Sequence, residues 1–332
     1  MHITPFATEH YYALYEFNTP HMLSSSDCET MPVRELLDLA GLGLEGLGRL
    51  RLGYTESQGN PDLRTAVAAG YDHVSPEQVV VLTSPVEGIY LAMRTLLEPG
   101  DQVVVLTPAY DALKNMAEHV AGRGQVWPLT PVGGSWSLDL EALARLVDDR
   151  TKLIVVNFPH NPTGYLPTRD ELQALIDLCA RHGTWLFCDE MYRGLEFGDM
   201  KALPSAADLY DRAIVLAGLS KTHGLPGLRA GWLLIRDEPV RKALLNWKFY
   251  TTICPAAPTE FLALAALAAG ETIVARNKAL IRDNIALAEP FFQRWPDLFT
   301  WRRPRAGSVA LVGLNAPLAT DYCHNLAQTA GV

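Results

Sequence analysis

Between residues 79 and 235 the chain alternates two kinds of hydrophobic pattern. Short runs, apolar at consecutive positions and rich in β-branched residues, occur at Val79–Leu82, Gln102–Leu106, Lys152–Val156, Thr184–Cys188, Ala213–Leu216 and Ala230–Ile235. Consecutive apolar positions require burial on both faces, the condition of a strand in a parallel sheet covered by helices. Between these runs, Leu138–Val147 and Arg169–Arg181 carry helical periodicity. The alternation predicts an α/β fold, a mostly parallel sheet sandwiched by helices. Two long helical stretches follow near Pro239–Ala269 and Thr272–Arg294, then a strand over Gly307–Gly313 and a helix over Leu318–Thr329. The expected organisation is an N-terminal segment (1–45), a large domain (46–270) and a smaller α/β domain (271–332) to which both chain ends contribute. Ala330-Gly331-Val332 reads as a helix stop entering a further strand, so that smaller domain is expected to be incomplete.

One motif is a decoy. Gly41-Leu42-Gly43-Leu44-Glu45-Gly46 fits G-x-G-x-x-G, which binds dinucleotides only as a turn from strand to helix. The residues before it, Val33–Ala40, are helix-like and Gly48 adds a breaker, so a flexible connection is expected instead.

Bulk properties narrow the classes. A chain of 332 residues, 48% hydrophobic, can bury one large core and a smaller one. The net charge is −9, and the densest basic cluster is Arg302, Arg303 and Arg305. Neither a nucleic acid nor an anionic membrane is an expected partner, since both need a concentrated basic surface. The five cysteines are scattered without a C-x-x-C pair, which argues for no disulfide framework, no metal site and a cytoplasmic location. The N-terminus lacks a signal-peptide pattern and no apolar run reaches the ~18 residues of a membrane span, so a soluble protein is expected.

In an open parallel sheet, ligands bind beyond the carboxyl ends of the strands. The residues following each run are therefore candidates as a set: Thr83-Ser84-Pro85-Val86-Glu87, then Tyr110, Asn161, Asp189 with Tyr192, and Ser220-Lys221. A helix starting near Pro85 would present unpaired N–H groups to a phosphate. A lysine at an apolar strand end can be held neutral by desolvation and attack an aldehyde. A carboxylate can keep a pyridine nitrogen protonated, and a ring such as Tyr110 can stack. The inventory suits a phosphorylated aromatic aldehyde. Each feature alone has a bland reading: a Ser-Lys pair is usually solvated, Asp-Glu after a strand is usually a cap, and Asn-Pro-Thr-Gly is usually a turn.

Together, in this order, these segments resemble the fold-type-I aminotransferases, class I and II, over about residues 50 to 315. Gly53–Arg64 (GYTESQGNPDLR) is similar to the family's G-Y-x-x-x-x-G-x-x-x-L-R. Asn161-Pro162-Thr163-Gly164 matches N-P-T-G, Asp189-Glu190-x-Tyr192 matches D-E-x-Y, and Ser220–Arg229 resembles S-K-x-x-G-x-x-G-x-R. The resemblance implies the aspartate-aminotransferase fold, pyridoxal 5'-phosphate as cofactor, and amino-acid and 2-oxo-acid substrates. It implies that Lys221 holds the cofactor as a Schiff base and moves the Cα proton, and that Asp189 pairs with the pyridinium nitrogen. Asn161 and Tyr192 would bond the ring's phenolic oxygen, and Tyr110 would stack on the ring. Ser220, Arg229 and the amides of Val86 and Glu87 would hold the phosphate. Tyr54 would reach the phosphate of a neighbouring subunit, which implies a homodimer with shared sites, and the N-terminal segment would line the substrate pocket.

Three departures stand out. Gly218 replaces a common phosphate-binding serine, Ser84-Pro85 replaces the glycine of the phosphate loop, and the chain stops before the family's carboxylate-binding arginine. Beside transamination, two readings stay open. One is other chemistry on the same cofactor, either β-elimination or the cyclising and oxidising chemistry of arginine-derived amino acids; the polar Leu23–Cys28 segment keeps it open. The other is a non-catalytic cofactor-binding regulatory domain.

Overall fold

All six apolar runs form strands, and a seventh joins them: β1 (Val79–Leu82), β2 (Gln102–Thr107), β3 (Arg123–Pro128), β4 (Thr151–Asn157), β5 (Trp185–Asp189), β6 (Ala213–Gly218) and β7 (Gly231–Ile235). The computed structural model describes residues 3–198, 200, 202–315 and 318–332. The sheet order is β1-β7-β6-β5-β4-β2-β3. β7 runs antiparallel to both its neighbours, and the remaining pairs are parallel. Every residue of β1, β5, β6 and β7 is buried, as both-face apolarity predicts. Hydrophobic cores lie on both sides of the sheet, so it is sandwiched by helices as the pattern implies.

Capping sets where the helices begin. Thr168 and Glu171 form a capping box at Arg169–His182, and Gly183 ends that helix in the left-handed region. Asp139 caps Leu140–Leu146 through the Ala142 amide. In the G-Y…L-R segment, Asn60 caps Pro61–Ala68. Gly59 has φ +108°, and a Cβ there would lie 2.3 Å from Val81 Cγ2, so glycine is required.

Two expectations change. The stretch Pro239–Ala269 is two helices, Glu238–Phe249 and Ala257–Ala268. Between them Ile253 is left-handed at φ +66° and Pro255 follows; β-branching and proline both oppose helix. The strand expected over Gly307–Gly313 shrinks to Gly313–Leu314, paired with Phe299–Thr300. Residues 304–308 instead clamp the Asn-Pro-Thr-Gly turn, with the Arg305 and Ala306 amides both donating to the Gly164 carbonyl. Before Gly41 stands the helix Val33–Leu39, so the G-x-G-x-x-G segment has no strand leading into it.

Candidate active site

The carboxyl ends of β1, β2, β4, β5 and β6 share one edge of the sheet, and antiparallel β7 brings its entry, Arg229, to that same edge. Register sets the lateral order: Asn157, the last residue of β4, sits opposite Asp189, the last of β5. The Asn157 carboxamide donates to the Asp189 carbonyl (2.8 Å) and accepts from the Asn161 amide (2.6 Å). This locks the Asn-Pro-Thr-Gly turn against β5. His160 tightens it further, its Nδ1 lying 2.8 Å from Thr163 Oγ1.

Asp189 is buried, and its carboxylate accepts from the Met191 amide at 3.0 Å. Burial pushes its carboxyl up to about 7 despite that bond and the Lys221 charge. Lys221 follows β6 by three residues, in a loop closed by Gly224 donating to the Lys221 carbonyl and Leu225 to the Leu219 carbonyl. Thr222 fixes this loop through the carbonyls of Met191 and Arg193, and buried Asn277, from the long helix Gly270–Arg294, donates to the Thr222 carbonyl at 3.0 Å. The Lys221 amine donates to Ser26 Oγ at 2.7 Å and lies 3.8 Å from Asp27 Oδ1. Burial pulls its ammonium below the usual lysine range, against the pull of Asp27 and with the help of Arg229.

Among the described residues, three hydroxyls near this edge are buried, those of Thr83 and Ser220 without a hydrogen-bond partner and that of Tyr192 toward Ser26. Native interiors rarely leave such groups unmade, so they mark where a polar ligand is wanted. Arg229, in the left-handed region at φ +51°, reaches across to Ser84 Oγ at 2.8 Å. Ser84 ends the β1 turn and precedes the helix Pro85–Leu96, in whose first turn Pro85 carries no N–H and the Val86 amide lies ahead of the first intrahelical acceptor. A buried carboxyl, a desolvated amine, a guanidinium, a helix N-terminus and unpaired hydroxyls fit pyridoxal phosphate at ring nitrogen, aldehyde, phosphate and phenolic oxygen.

The sequence model for class I and II aminotransferases matches residues 21–332. The chain belongs to this family. Its cofactor is pyridoxal phosphate. Capreomycidine synthase of Streptomyces vinaceus is 33% identical over 314 residues, 93% of this chain and 80% of that protein. The aspartate aminotransferase of Streptomyces avermitilis is 31% identical over 69% of this chain, which spans 60% of that enzyme's length. Among solved structures, a PLP-dependent aminotransferase from Streptococcus suis superposes with a TM-score of 0.93 at 29% identity, covering 100% of this chain and 88% of that one. The PLP-dependent cyclase OrfR superposes with a TM-score of 0.89 at 26% identity, with the same coverage.

Within this family frame the expected residues fall in three groups. Lys221, Asp189, Tyr192, Ser220, Asn161 and Arg229 all follow or enter strands at the one edge. Tyr110 stands there too, at the end of the β2 turn, its hydroxyl donating to Glu9 at 3.2 Å and its ring edge-on to Phe6. The Val86 and Glu87 positions open the helix, but the Glu87 amide already donates to the Ser84 carbonyl at 3.0 Å. Tyr54 stands apart, 87% exposed.

Two of the departures, Gly218 and Pro85, meet in space. A Cβ on Gly218 would lie 2.8 Å from the Ala230 carbonyl and 3.2 Å from Pro85 Cγ; one on Gly231, its pairing partner, would lie 2.8 Å from that same ring carbon. The glycine pair packs against the proline ring, and a side chain at 218 would first meet the backbone leading into β7 at Ala230. Sequence reasoning missed Ser26 and Asp27 as neighbours of Lys221, although their polar segment stood out. It also missed Asn157, Thr222 and Asn277, for which no motif offered a signal.

Proposed function

We propose that the protein is a pyridoxal-phosphate-dependent aminotransferase moving the amino group of a small amino acid to a 2-oxo acid. The carrying observation is Lys221: a desolvated amine at a strand end, beside a buried carboxyl and a guanidinium. The bound cofactor supplies an aldehyde for that amine and a ring that accepts the electron pair left at the substrate Cα. Lys221 is assigned covalent attachment and transfer of the Cα proton. Asp189 keeps the ring nitrogen protonated, Asn161 and Tyr192 bond the phenolic oxygen, and Tyr110 covers the ring face. Ser220, Arg229 and the Val86 amide hold the phosphate. In the cofactor-bound protein, borohydride should fix the label to Lys221. A screen of single amino acids, following loss of the visible band, should find a donor that leaves pyridoxamine phosphate. Label on another lysine would overturn the assignment.

A second reading, cyclising chemistry on an amino acid with a nitrogen-rich side chain, is favoured by a specific observation. Ser26 and Asp27 stand at the Lys221 amine, on the segment whose composition kept that reading open, and a carboxylate there suits a cationic substrate. The likeness to capreomycidine synthase over 93% of the chain supports it as well. A cyclic product with the aldehyde form regenerated, in place of pyridoxamine phosphate, separates the two.

The proposed assembly is a homodimer with shared sites, because exposed Tyr54 is then a phosphate ligand for a second copy. Mixing inactive Tyr54→Phe with inactive Lys221→Ala chains should restore up to about half the wild-type activity, since a heterodimer holds one intact site. No recovery after subunit exchange is verified by mass spectrometry would place Tyr54 in its own subunit's service.

A further inference from the structure

Glu87 does something other than lend its amide. It is the third residue of the helix Pro85–Leu96, and its carboxylate reaches back past the N-cap to accept from the Thr83 amide at 2.9 Å. The other carboxylate oxygen accepts from Thr251 Oγ1 at 2.8 Å and Thr252 Oγ1 at 2.6 Å. Thr252 in turn accepts from Lys248 Nζ at 3.1 Å, and Lys248 is wholly buried. The N-cap residue Ser84 makes no side-chain cap; its hydroxyl is taken by Arg229.

A helix that begins with a proline has lost one of its N-terminal donors, and its remaining free amides must be aimed accurately to hold an anion. A third-position carboxylate ordinarily returns to the N-cap amide. Here it is displaced by one residue, ties down Thr83, and leaves Ser84 to Arg229. A carboxylate this close to a phosphate site would repel the ligand if it were free to swing. Two hydroxyls and an amide hold it away, and the buried ammonium of Lys248 offsets its charge. The loop 250–256, which breaks the long helix, supplies both hydroxyls.

We infer that Glu87 is a positioning residue for the cofactor phosphate: clamped by Thr251 and Thr252, its carboxylate fixes the β1 turn so that Ser84, Arg229 and the Val86 amide converge on one anion. The inference rests on the phosphate assignment above. It is tested by titrating the cofactor-stripped protein with pyridoxal phosphate and, separately, with pyridoxal, which lacks the phosphate. Glu87→Ala should weaken pyridoxal phosphate about tenfold, ~1.4 kcal/mol, and leave pyridoxal within about twofold of wild type. Thr251→Val with Thr252→Val, which leaves Glu87 in place, should weaken pyridoxal phosphate about fivefold and spare pyridoxal in the same way. Glu87→Gln keeps an acceptor for Thr83 and should stay within about threefold of wild type. Glu87→Ala binding both aldehydes normally, or losing both equally, would overturn the inference. So would Glu87→Gln as weak as Glu87→Ala, which would make the role one of charge and not of position. A wild-type protein that takes up neither aldehyde would overturn the cofactor reading beneath it.

Discussion

The floor and the wall of the site are built differently. The floor is strand ends: Asp189 opposite Asn157 by sheet register, Lys221 in a loop pinned by Thr222 and Asn277. Asp189 and Asn157 are buried and Lys221 is half-buried, and side chains bonded to backbone carbonyls place them. The wall is the N-terminal segment, which arrives from 195 residues away in sequence to set Ser26 against Lys221. It is held by hydrogen bonds to several separate elements, among them Ser308 on the Ser26 carbonyl, Arg276 on the Glu29 carbonyl and the Thr8 amide on Asp111. A floor of strand ends suits chemistry shared across a family, and a wall supplied by a separate segment suits selectivity that changes between members.

If that division is right, floor substitutions abolish turnover with any substrate. The largest effect is expected from Lys221→Ala, which removes both covalent attachment and the proton carrier; activity should fall to background while some non-covalent cofactor affinity remains. Asp189→Asn should come next. The amide cannot hold the ring nitrogen protonated, so turnover should drop by several powers of ten, each tenfold being ~1.4 kcal/mol of barrier, with cofactor still bound. Near-normal turnover in this variant would make Asp189 merely structural.

Wall substitutions should discriminate. Asp27→Asn and Ser26→Ala are expected to leave the cofactor spectrum in place. Asp27→Asn should cost roughly tenfold in kcat/KM for substrates with a cationic side chain, in line with the loss of one charge-assisted hydrogen bond, and much less for neutral ones. Equal losses across both substrate classes would dissolve the distinction between wall and floor.

The same division governed what could be read from the sequence. Asp189 and Lys221 on the floor were legible because consecutive apolar runs announce buried strands, and the chemistry follows each run; the residues that pin them were not. β3 escaped because it lies at the sheet edge: of Arg123–Pro128 only Trp127 is buried, so the apolar run never forms. The break at residues 250–256 was hidden inside a stretch whose flanks are helical. Ser26 could be singled out as unusual, but its contact with Lys221 is a tertiary fact that no local pattern carries. Glu87 was assigned through its amide, whereas the structure engages its carboxylate; capping geometry displaced by one residue leaves no trace in composition.

A change of stability, and not of turnover, probes burial on the floor itself. Burial pushes Asp189 and its neighbour Glu190 each up to about 7. The folded protein therefore keeps protons that an unfolded chain releases from about pH 4 upward, so their contribution to stability is full below pH ~4 and is lost as pH rises to about 7. Burial pushes His160 and His223 the other way, each down to about 4. Their contribution is full above pH ~6.5 and is lost as pH falls toward 4. Two carboxyls and two imidazoles thus oppose one another across the same window, between about pH 4.5 and 6.5. Asp189→Asn removes one carboxyl from this balance and leaves the imidazoles in excess. Its stability should rise with pH across that window, by ~2–3 kcal/mol relative to wild type, given ~1.4 kcal/mol per pH unit for one proton. A variant whose pH dependence overlays that of wild type would mean that Asp189 is already ionised in the cofactor-free fold, and that the floor is wetter than its burial implies.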